Sequence, residues 1–347
     1  MGTPFKALYA IACVILCGLP AAAQDSVAAF YKGKSISLLI GSSVGGGYDT
    51  YARLLARYLG KYVPGNPTIV PTNMPGAGGN LVAGHIYNIA PKDGTVMALI
   101  LPGTVTEPLF QGREKVKHDP AKLTYVGSAN SEVDLCYVRA DTGVTSLKDL
   151  AAKEVVIGAS AEGGSTRDQA TLQANLIGSR FRIVAGYPGS REILLAIEKG
   201  EVSGICGLGL PAFRQAHADW IESGFVRILS QDNARGDPKL TARGVPRTVD
   251  FARSAEDRQI MELVYAQQEF GRPFVMPPNV PAERVAALRK AFVEALNDKE
   301  LLAEAERLKI DVTPVEGSEL QALVEKVYAT PPAIVERARQ ALVYRAP

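Results

Sequence analysis

The chain has 347 residues, of which 47% are hydrophobic and 21% are charged, and its formal net charge is +2. This length accommodates two domains of ordinary size, and the composition is that of a soluble globular protein. Proteins that bind nucleic acid neutralise phosphates with a basic surface, and the nearly balanced charge excludes that class of partner.

The amino terminus has the features of a secretion signal. Lys6 is followed by an apolar stretch, Ala7–Pro20, and then by small alanine side chains that suit a signal peptidase. The stretch is shorter than the roughly 20 residues that cross a bilayer, which disfavours a membrane anchor. Leu16 before Cys17 disfavours a lipoprotein. We therefore predict that residues 1–23 are a signal peptide, and that the mature protein is exported, to the periplasm in a bacterium, without membrane insertion.

Strands and helices alternate in the first part of the mature chain. The pattern predicts strands at 35–40, 68–72 and 96–100, and helices at 49–59 and 80–90. Such a βαβαβ order favours a parallel sheet with helices on its faces.

A second series begins near residue 124. Strands are predicted at 135–138, 155–159, 182–184, 204–208 and 226–230, with helices at 146–152, 167–177 and 190–199. The final third is predicted to be helical, at 255–267, 282–297, 299–308, 317–329 and 331–342. In both halves apolar strands run into glycine-rich turns and then into helices. The expected fold class is therefore α/β, with two lobes that face a common crevice.

The turn after the first predicted strand is the strongest sign of a ligand. Ser42 and Ser43 precede the glycines 45–47, and a helical pattern follows at once. Bare backbone N–H groups at a helix N-terminus favour an anion. The turn has no lysine and its spacing is not G-x-G-x-x-G, which argues against nucleotide phosphates. We predict that main-chain amides, rather than a fixed cation, hold a carboxylate here, with Asp49 capping the helix or bracing the loop.

Three further turns repeat this device. Residues 73–79 join the second strand to the second helix, so they lie at the same sheet edge as the first turn. In the other half, the helix that begins near Ser165 also carries Arg167, which either pairs with a second carboxylate or is a solvated helix arginine. The turn at 186–191 offers the hydroxyl of Tyr187 and another helix N-terminus.

One motif raises the possibility of catalysis. Residues 41–45 match G-x-S-x-G, with Ser43 in the nucleophile position between a strand and a helix. None of the three histidines, His85, His118 and His217, lies in a context that suggests a triad partner, and no H-G-G-G oxyanion motif is present. No histidine or cysteine cluster has metal-ligand spacing. We expect a protein that is not an enzyme and needs no metal or cofactor; a secreted serine hydrolase using Ser43 is the alternative.

Two cysteines remain after the predicted signal peptide, Cys136 and Cys206, both in apolar strand-like contexts. An even pair in an exported protein favours a structural disulfide. Two separate buried thiols are the other interpretation, since free cysteine packs well inside proteins.

Together these motifs resemble the substrate-binding receptors of the tripartite tricarboxylate transporters, the Bug or TctC-like family. The resemblance extends over nearly the whole mature chain. It is carried, in family order, by residues 44–53 and 73–79 as ligand loops, then by 90–94, 186–189, 199–204 and 277–281, followed by Arg284, Leu288 and Phe292. Two positions depart from the family pattern: Ser42–Val44, where many members have an apolar residue and a proline, and Arg167.

The resemblance implies a two-lobe periplasmic-binding-protein architecture, type II-like, with a ligand cleft between the lobes. Residues 24–131 and 231–347 would form the first lobe and residues 132–230 the second. The implied function is to bind a small organic acid and to deliver it to membrane transporter subunits, as a monomer. A receptor that reports the ligand to a signalling partner is the alternative. The residues expected to bind the ligand are Ser42, Ser43, Gly45, Gly46, Gly47, Tyr48, Asp49, Asn73, Gly76, Ala77, Gly78, Gly79, Thr104, Gly163, Gly164, Ser165, Thr166, Arg167, Tyr187, Gly189 and Ser190.

Overall fold

The computed structural model describes residues 26–111, 116–160, 164–217 and 219–344. The predicted signal peptide and its cleavage point lie outside the described residues, as does Gly163. Within the described ranges, every helix is too short or too polar to cross a membrane.

Two β-sheets form the centres of two lobes. The strands of the first sheet are β1 (Ser35–Ile40), β2 (Thr68–Asn73), β3 (Val96–Leu99), β4 (Thr124–Ser128), β10 (Pro273–Met276) and β11 (Val315–Glu316). The strands of the second sheet are β5 (Asp134–Arg139), β6 (Val155–Gly158), β7 (Phe181–Val184), β8 (Gly204–Gly209) and β9 (Val226–Asp232). The strand orders are β11-β4-β10-β3-β1-β2 and β7-β6-β8-β5-β9.

Helices cover the faces of the sheets. In chain order they are α1 (26–31), α2 (Gly47–Tyr62), α3 (Asn80–Asn88), α4 (Gly103–Gln111), α5 (Ser165–Ile177), α6 (Ser190–Glu198), α7 (Leu210–His217), α8 (Asp219–Glu222), α9 (Pro238–Ala242), α10 (Ala255–Phe270), α11 (Ala282–Leu296), α12 (Lys299–Arg307), α13 (Gly317–Tyr328) and α14 (Pro332–Ala341). A 3-10 turn, Leu147–Ala151, stands where the sequence predicts a helix at 146–152.

The first sheet is buried on both faces, because the side chains of a strand alternate between its two sides. Leu38 and Ile40 of β1 join a core with α2, α11 and α12, whereas Leu39 joins the opposite core with α3, α10, α13 and α14. This double burial explains why β1 is an unbroken apolar run in the sequence. The expected parallel pairing is confirmed, since β1 pairs in parallel with both β2 and β3.

The second sheet is packed in the same way, and it contains the disulfide. Tyr137 of β5 lies in a core with α6 and α7, while Cys136 and Val138 face the opposite core with α5. Cys136 of β5 is the cross-strand partner of Cys206 of β8, and the two are disulfide-bonded. The disulfide interpretation is therefore confirmed, and separate thiols are excluded.

The prediction that the final third is helical is wrong at β10. This strand inserts between β3 and β4 and pairs antiparallel with both. Its four residues are all buried. A short apolar run has no periodicity to separate a buried strand from part of a helix, and its partners lie far away in the sequence. Helix α4 was also missed, and its internal Pro108 conceals the helical pattern.

The chain crosses between the lobes at residues 129–133, the crossover segment, and again between β9 and β10. The end of α10, in the first lobe, packs against the crossover segment. Gly271 has a φ of 52°, and a Cβ atom there would lie 2.0 Å from the carbonyl oxygen of Asn130, so only glycine fits. The N–H of Glu132 donates to the carbonyl of Gln268 at 2.8 Å. These contacts place Arg272, the residue after Gly271, at the boundary between the lobes.

Candidate ligand-binding cleft

A cavity of about 660 Å³ lies between the two lobes. This volume is within the range of small-molecule sites. The first lobe lines it with Gly47, Tyr48, Tyr51, Gly78, Leu101, Pro102, Gly103, Gln267, Gln268, Arg272, Lys309 and Ile310. The crossover segment and the start of β5 add Asn130, Glu132 and Asp134. The second lobe adds Ser160, Gly164, Ser165, Thr166, Gly189, Ser190, Gly207, Leu208, Gly209, Pro211 and Ala212.

Helices from both lobes begin at this cleft. The first residues of α2 and α4 line it on one side, and the first residues of α5 and α6 line it on the other. Each helix N-terminus carries partial positive charge and unpaired N–H groups. Their convergence makes the empty space between the lobes favourable for an anion.

Glycine precedes three of these helices and leaves their first turns open. Gly46, Gly164 and Gly189 are the N-caps of α2, α5 and α6, and none of them receives a side-chain cap from the described residues. Serine, threonine or aspartate at an N-cap satisfies one or two of the helix's free N–H groups itself. Glycine leaves those donors available to a ligand.

One arginine lines the cleft as a buried cation. The side chain of Arg272 is 13% exposed, and its Nη2 atom lies 2.7 Å from Oε1 of Glu132. The guanidinium also stacks on the ring of Tyr48, with 4.2 Å between Cζ and the ring centroid, and lies 5.3 Å from the centroid of Tyr51. Burial lowers the pKa of Arg272, but the charge and hydrogen bond of Glu132, together with Tyr48 and Tyr51, outweigh it, and the pKa lies above its ordinary value. Arg272 therefore stays positively charged. That main-chain amides, rather than a fixed cation, hold a carboxylate at the first glycine turn stays a prediction.

The start of β5 adds a buried carboxyl group. Oδ2 of Asp134 accepts hydrogen bonds from the amides of Gln169, in the second lobe, and Gln268, in the first. Burial, followed by the charge of Glu132, raises the pKa of Asp134 to about 6. Asp232, its cross-strand partner on β9, has a pKa that burial raises to about 7. This pair of carboxyl groups joins helices of both lobes at the point where the chain changes lobe.

The first glycine turn keeps its shape through a network that points away from the cleft. Asp49 accepts hydrogen bonds from the N–H of Gly45, from Nε of Arg53 and from the amide of Asn73. Burial raises the pKa of Asp49, but these bonds outweigh it and hold the pKa below its usual value. The Asn73 amide also donates to the carbonyl of Ser42. Of the two roles considered for Asp49, bracing the loop is the one the structure shows.

The predicted ligand residues divide into two groups by position. The cleft is lined by Gly47, Tyr48, Gly78, Gly164, Ser165, Thr166, Gly189 and Ser190. Outside its lining lie Ser42, Ser43, Gly45, Gly46, Asp49, Asn73, Gly76, Ala77, Gly79, Thr104, Arg167 and Tyr187. A binding role for any of these residues stays a prediction.

The second glycine turn contributes mainly through packing. A Cβ atom on Gly79 would lie 3.0 Å from side-chain atoms of both Leu101 and Thr104, so this glycine allows α3 to approach α4 closely. Thr104 is fully buried, and its hydroxyl donates to the carbonyl of Leu101 at 2.7 Å. Gly78 is the residue of this turn that borders the cleft.

Sequence reasoning missed the charged residues of the cleft. Glu132 lies in the crossover segment and Asp134 at the start of β5, whereas Arg272 follows α10 and Lys309 follows α12; none is part of a predicted glycine turn. The one local signal was Gly271–Arg272 before a short apolar run, which resembles a helix end. The proximity of Glu132 and Arg272 depends on the end of α10 packing against the crossover segment, and a single sequence does not reveal that.

The hydrolase alternative finds no triad around Ser43. Ser43 is exposed, whereas His118 is buried and bonded through Nε2 to the carbonyl of Thr104. His217 stacks on Trp220, with ring centroids 3.8 Å apart. No hydrogen bond between Ser43 and a histidine occurs in the part of the chain that the structure describes.

Comparison with known proteins identifies the fold. No protein-family model matches the chain. A TctC solute-binding protein from Polaromonas, solved without ligand, aligns with a TM-score of 0.70 at 17% identity, covering 88% of this chain and 99% of that one. The chain has the TctC fold.

Two further proteins are similar over most of the chain. The structure of R. palustris Rpa4515 with adipate aligns with a TM-score of 0.56 at 22% identity, covering 89% of this chain and 97% of that one. A Cupriavidus necator protein described as "UPF0065 protein in gbd 5'region" is 27% identical over 315 residues, covering 88% of this chain and 86% of its own length. The fold that the resemblance implied is thus confirmed over most of the chain.

Proposed function

We propose that this protein is a non-catalytic extracytoplasmic solute receptor, of the Bug or TctC-like kind, that binds a small carboxylate between its two lobes. The closed receptor hands the acid to a membrane transporter of the tripartite tricarboxylate type. The lobes divide near residues 131 and 230, and the receptor acts as a monomer.

The convergence of helix N-termini on one cavity is the observation that carries this proposal. The helices α2, α4, α5 and α6 direct their positive ends into a cavity of about 660 Å³, and Arg272 adds a full charge. A carboxylate is a small metabolite group that accepts hydrogen bonds from both backbone N–H groups and a guanidinium. The adipate in a protein of the same fold is consistent with this chemistry.

Donors on both lobes suit a receptor that closes on its ligand. A ligand that touches Gly47 on one side and Ser190 on the other makes more contacts when the lobes approach. It therefore shifts the open–closed equilibrium in proportion to its preference for the closed state. A receptor that reports the same event to a signalling partner would use the same cleft; finding genes for two membrane subunits beside this one would favour transport.

A ligand screen tests the proposal. Purified protein is heated in the presence of mono-, di- and tricarboxylic acids and aromatic acids, with the corresponding uncharged amides as matched controls. The true ligand at about a hundredfold excess over its Kd should stabilise the fold by roughly 2.7 kcal/mol, whereas its amide should have little effect. Equal stabilisation by acid and amide, or none by any acid, would contradict a carboxylate site.

A further inference from the structure

The guanidinium of Arg272 is held in place but retains hydrogen-bonding capacity. Tyr48 and Tyr51 lie against it, and Nη1 donates to the carbonyl of Gly271 at 3.2 Å. Its Nε atom is buried and has no hydrogen-bond partner among the described residues. Nη2 lies 3.9 Å from the position that a Cβ atom on Gly47 would occupy, so the cation borders the N-terminus of α2. An anion at that helix end would meet the guanidinium as well.

In this structure Glu132 already forms an ion pair with Arg272. Its carboxylate lies 2.7 Å from Arg272, and its side chain is 30% exposed against 13% for the arginine. The carboxylate of Glu132 is therefore more accessible to solvent than the guanidinium of Arg272. Glu132 also belongs to the crossover segment, where its N–H donates to the carbonyl of Gln268.

We propose that Glu132 is a built-in placeholder for the ligand, and that the ligand's carboxylate takes its place on Arg272. This inference rests on the proposed function. The exchange replaces one carboxylate by another, so the buried cation is never left without a partner, which would be strongly unfavourable. The Arg272 site thus selects anions strong enough to displace Glu132. It also excludes uncharged ligands, which leave the internal pair intact.

The exchange also links the ligand to the lobe boundary. Once displaced, Glu132 loses its side-chain contact with Arg272, while the crossover segment keeps its main-chain bonds and the hydrogen bond from the Asn130 amide to the Tyr51 hydroxyl. Occupation of Arg272 therefore changes the contacts of the segment that joins the lobes.

Three variants test the placeholder by titration calorimetry with succinate, adipate, citrate and benzoate. Glu132→Gln removes the competing charge and should lower the Kd for the best of these acids about tenfold, although it lowers the melting temperature of the free protein. Arg272→Gln should raise that Kd at least tenfold, the loss expected for a charged hydrogen bond. Glu269→Gln is the matched control. Glu269 is a buried carboxylate on α10 that pairs with Arg235 at 3.0 Å outside the cleft, so its loss should leave Kd unchanged.

Glu132→Asp provides a second test if the glutamine variant does not fold. It keeps the charge but withdraws the carboxylate by one methylene, and it should also lower Kd. A purely structural salt bridge predicts the opposite, an unchanged or higher Kd in both Glu132 variants, and that result would overturn the placeholder while leaving the receptor function standing. If neither wild type nor Glu132→Gln binds any of the acids, the receptor function fails as well.

Discussion

Gly47 and Arg272 meet at one wall of the cleft although 225 residues separate them in the numbering. The glycine leaves the first turn of α2 accessible, and the arginine supplies charge beside it. A Cβ atom on Gly47 would stand 3.9 Å from Nη2 of Arg272, which is an ordinary contact. A single methyl group therefore fits at this position, whereas a branched side chain would fill the space between helix and cation.

This difference in size gives a prediction at residue 47. Gly47→Val should weaken binding of the ligand at least tenfold, because its methyl groups cover the N–H groups of α2. Gly47→Ala should change the affinity much less. Gly84→Val, in α3 and outside the cleft, controls for the substitution itself. Calorimetry measures the affinity and circular dichroism checks the fold; equal losses in the alanine and valine variants would show that steric access is not the cause.

Among the elements, β5 connects the cleft to the core of the second lobe. It starts at the crossover segment with Asp134 and lies between β8 and β9 in the sheet. The disulfide ties β5 to β8 and closes a loop with a sequence separation of 70 residues. Such a link stabilises a fold mainly by restricting the unfolded chain.

Loss of the disulfide should therefore destabilise the second lobe. Reduction, or the double change Cys136→Ala and Cys206→Ala, is expected to lower the free energy of unfolding by about 2–4 kcal/mol. The ligand affinity of the folded protein should be nearly unchanged, because neither cysteine lines the cleft. Denaturant titration measures the first quantity. Detection of two free thiols by alkylation and intact mass in the untreated protein would contradict the bond.

At the scale of the whole molecule, a polar cluster joins the lobes at their boundary. Asp134 accepts hydrogen bonds from Gln169 of α5 and from Gln268 of α10. Both carboxylate oxygens of Asp232 accept from the side-chain amide of Gln173. Both carboxyl groups are buried, and burial raises both pKa values. The state of protonation at the boundary therefore differs between the folded and unfolded chain.

The pH dependence of stability follows from this difference. The pKa of Asp134 is about 6 in the folded protein against 3.8 ordinarily, so between these values the folded state binds more protons than the unfolded state. The contribution of Asp134 to the free energy of unfolding is fully present below pH 4 and is lost as the pH rises through about 6. Asp134→Asn should remove this loss, so the stability of the variant relative to wild type should rise by about 3 kcal/mol from pH 4 to pH 7. Urea titrations across that range measure it; parallel pH profiles would contradict a raised pKa.

Much of this architecture could be predicted from the sequence, because strands, turns and helices depend on residues that are neighbours in the chain. The apolar run before Gly41 and the periodic residues after Gly47 predict β1 and α2 without any tertiary information. The same reasoning located the glycine-capped starts of α5 and α6, which do line the cleft. It placed Asp49 correctly in the first turn and left its role open between a cap and a brace.

By itself the sequence determined the α/β order and the glycine turns, since these depend on backbone freedom and on spacing along one segment; from those turns it predicted an anion. The tertiary structure decided which turns border the cleft, the insertion of β10 and the pairing of Arg272 with Glu132. Those features depend on segments that are distant in the chain and are brought together by packing within and between the lobes. Contacts of that kind arise from packing in three dimensions and leave no periodic trace in the sequence.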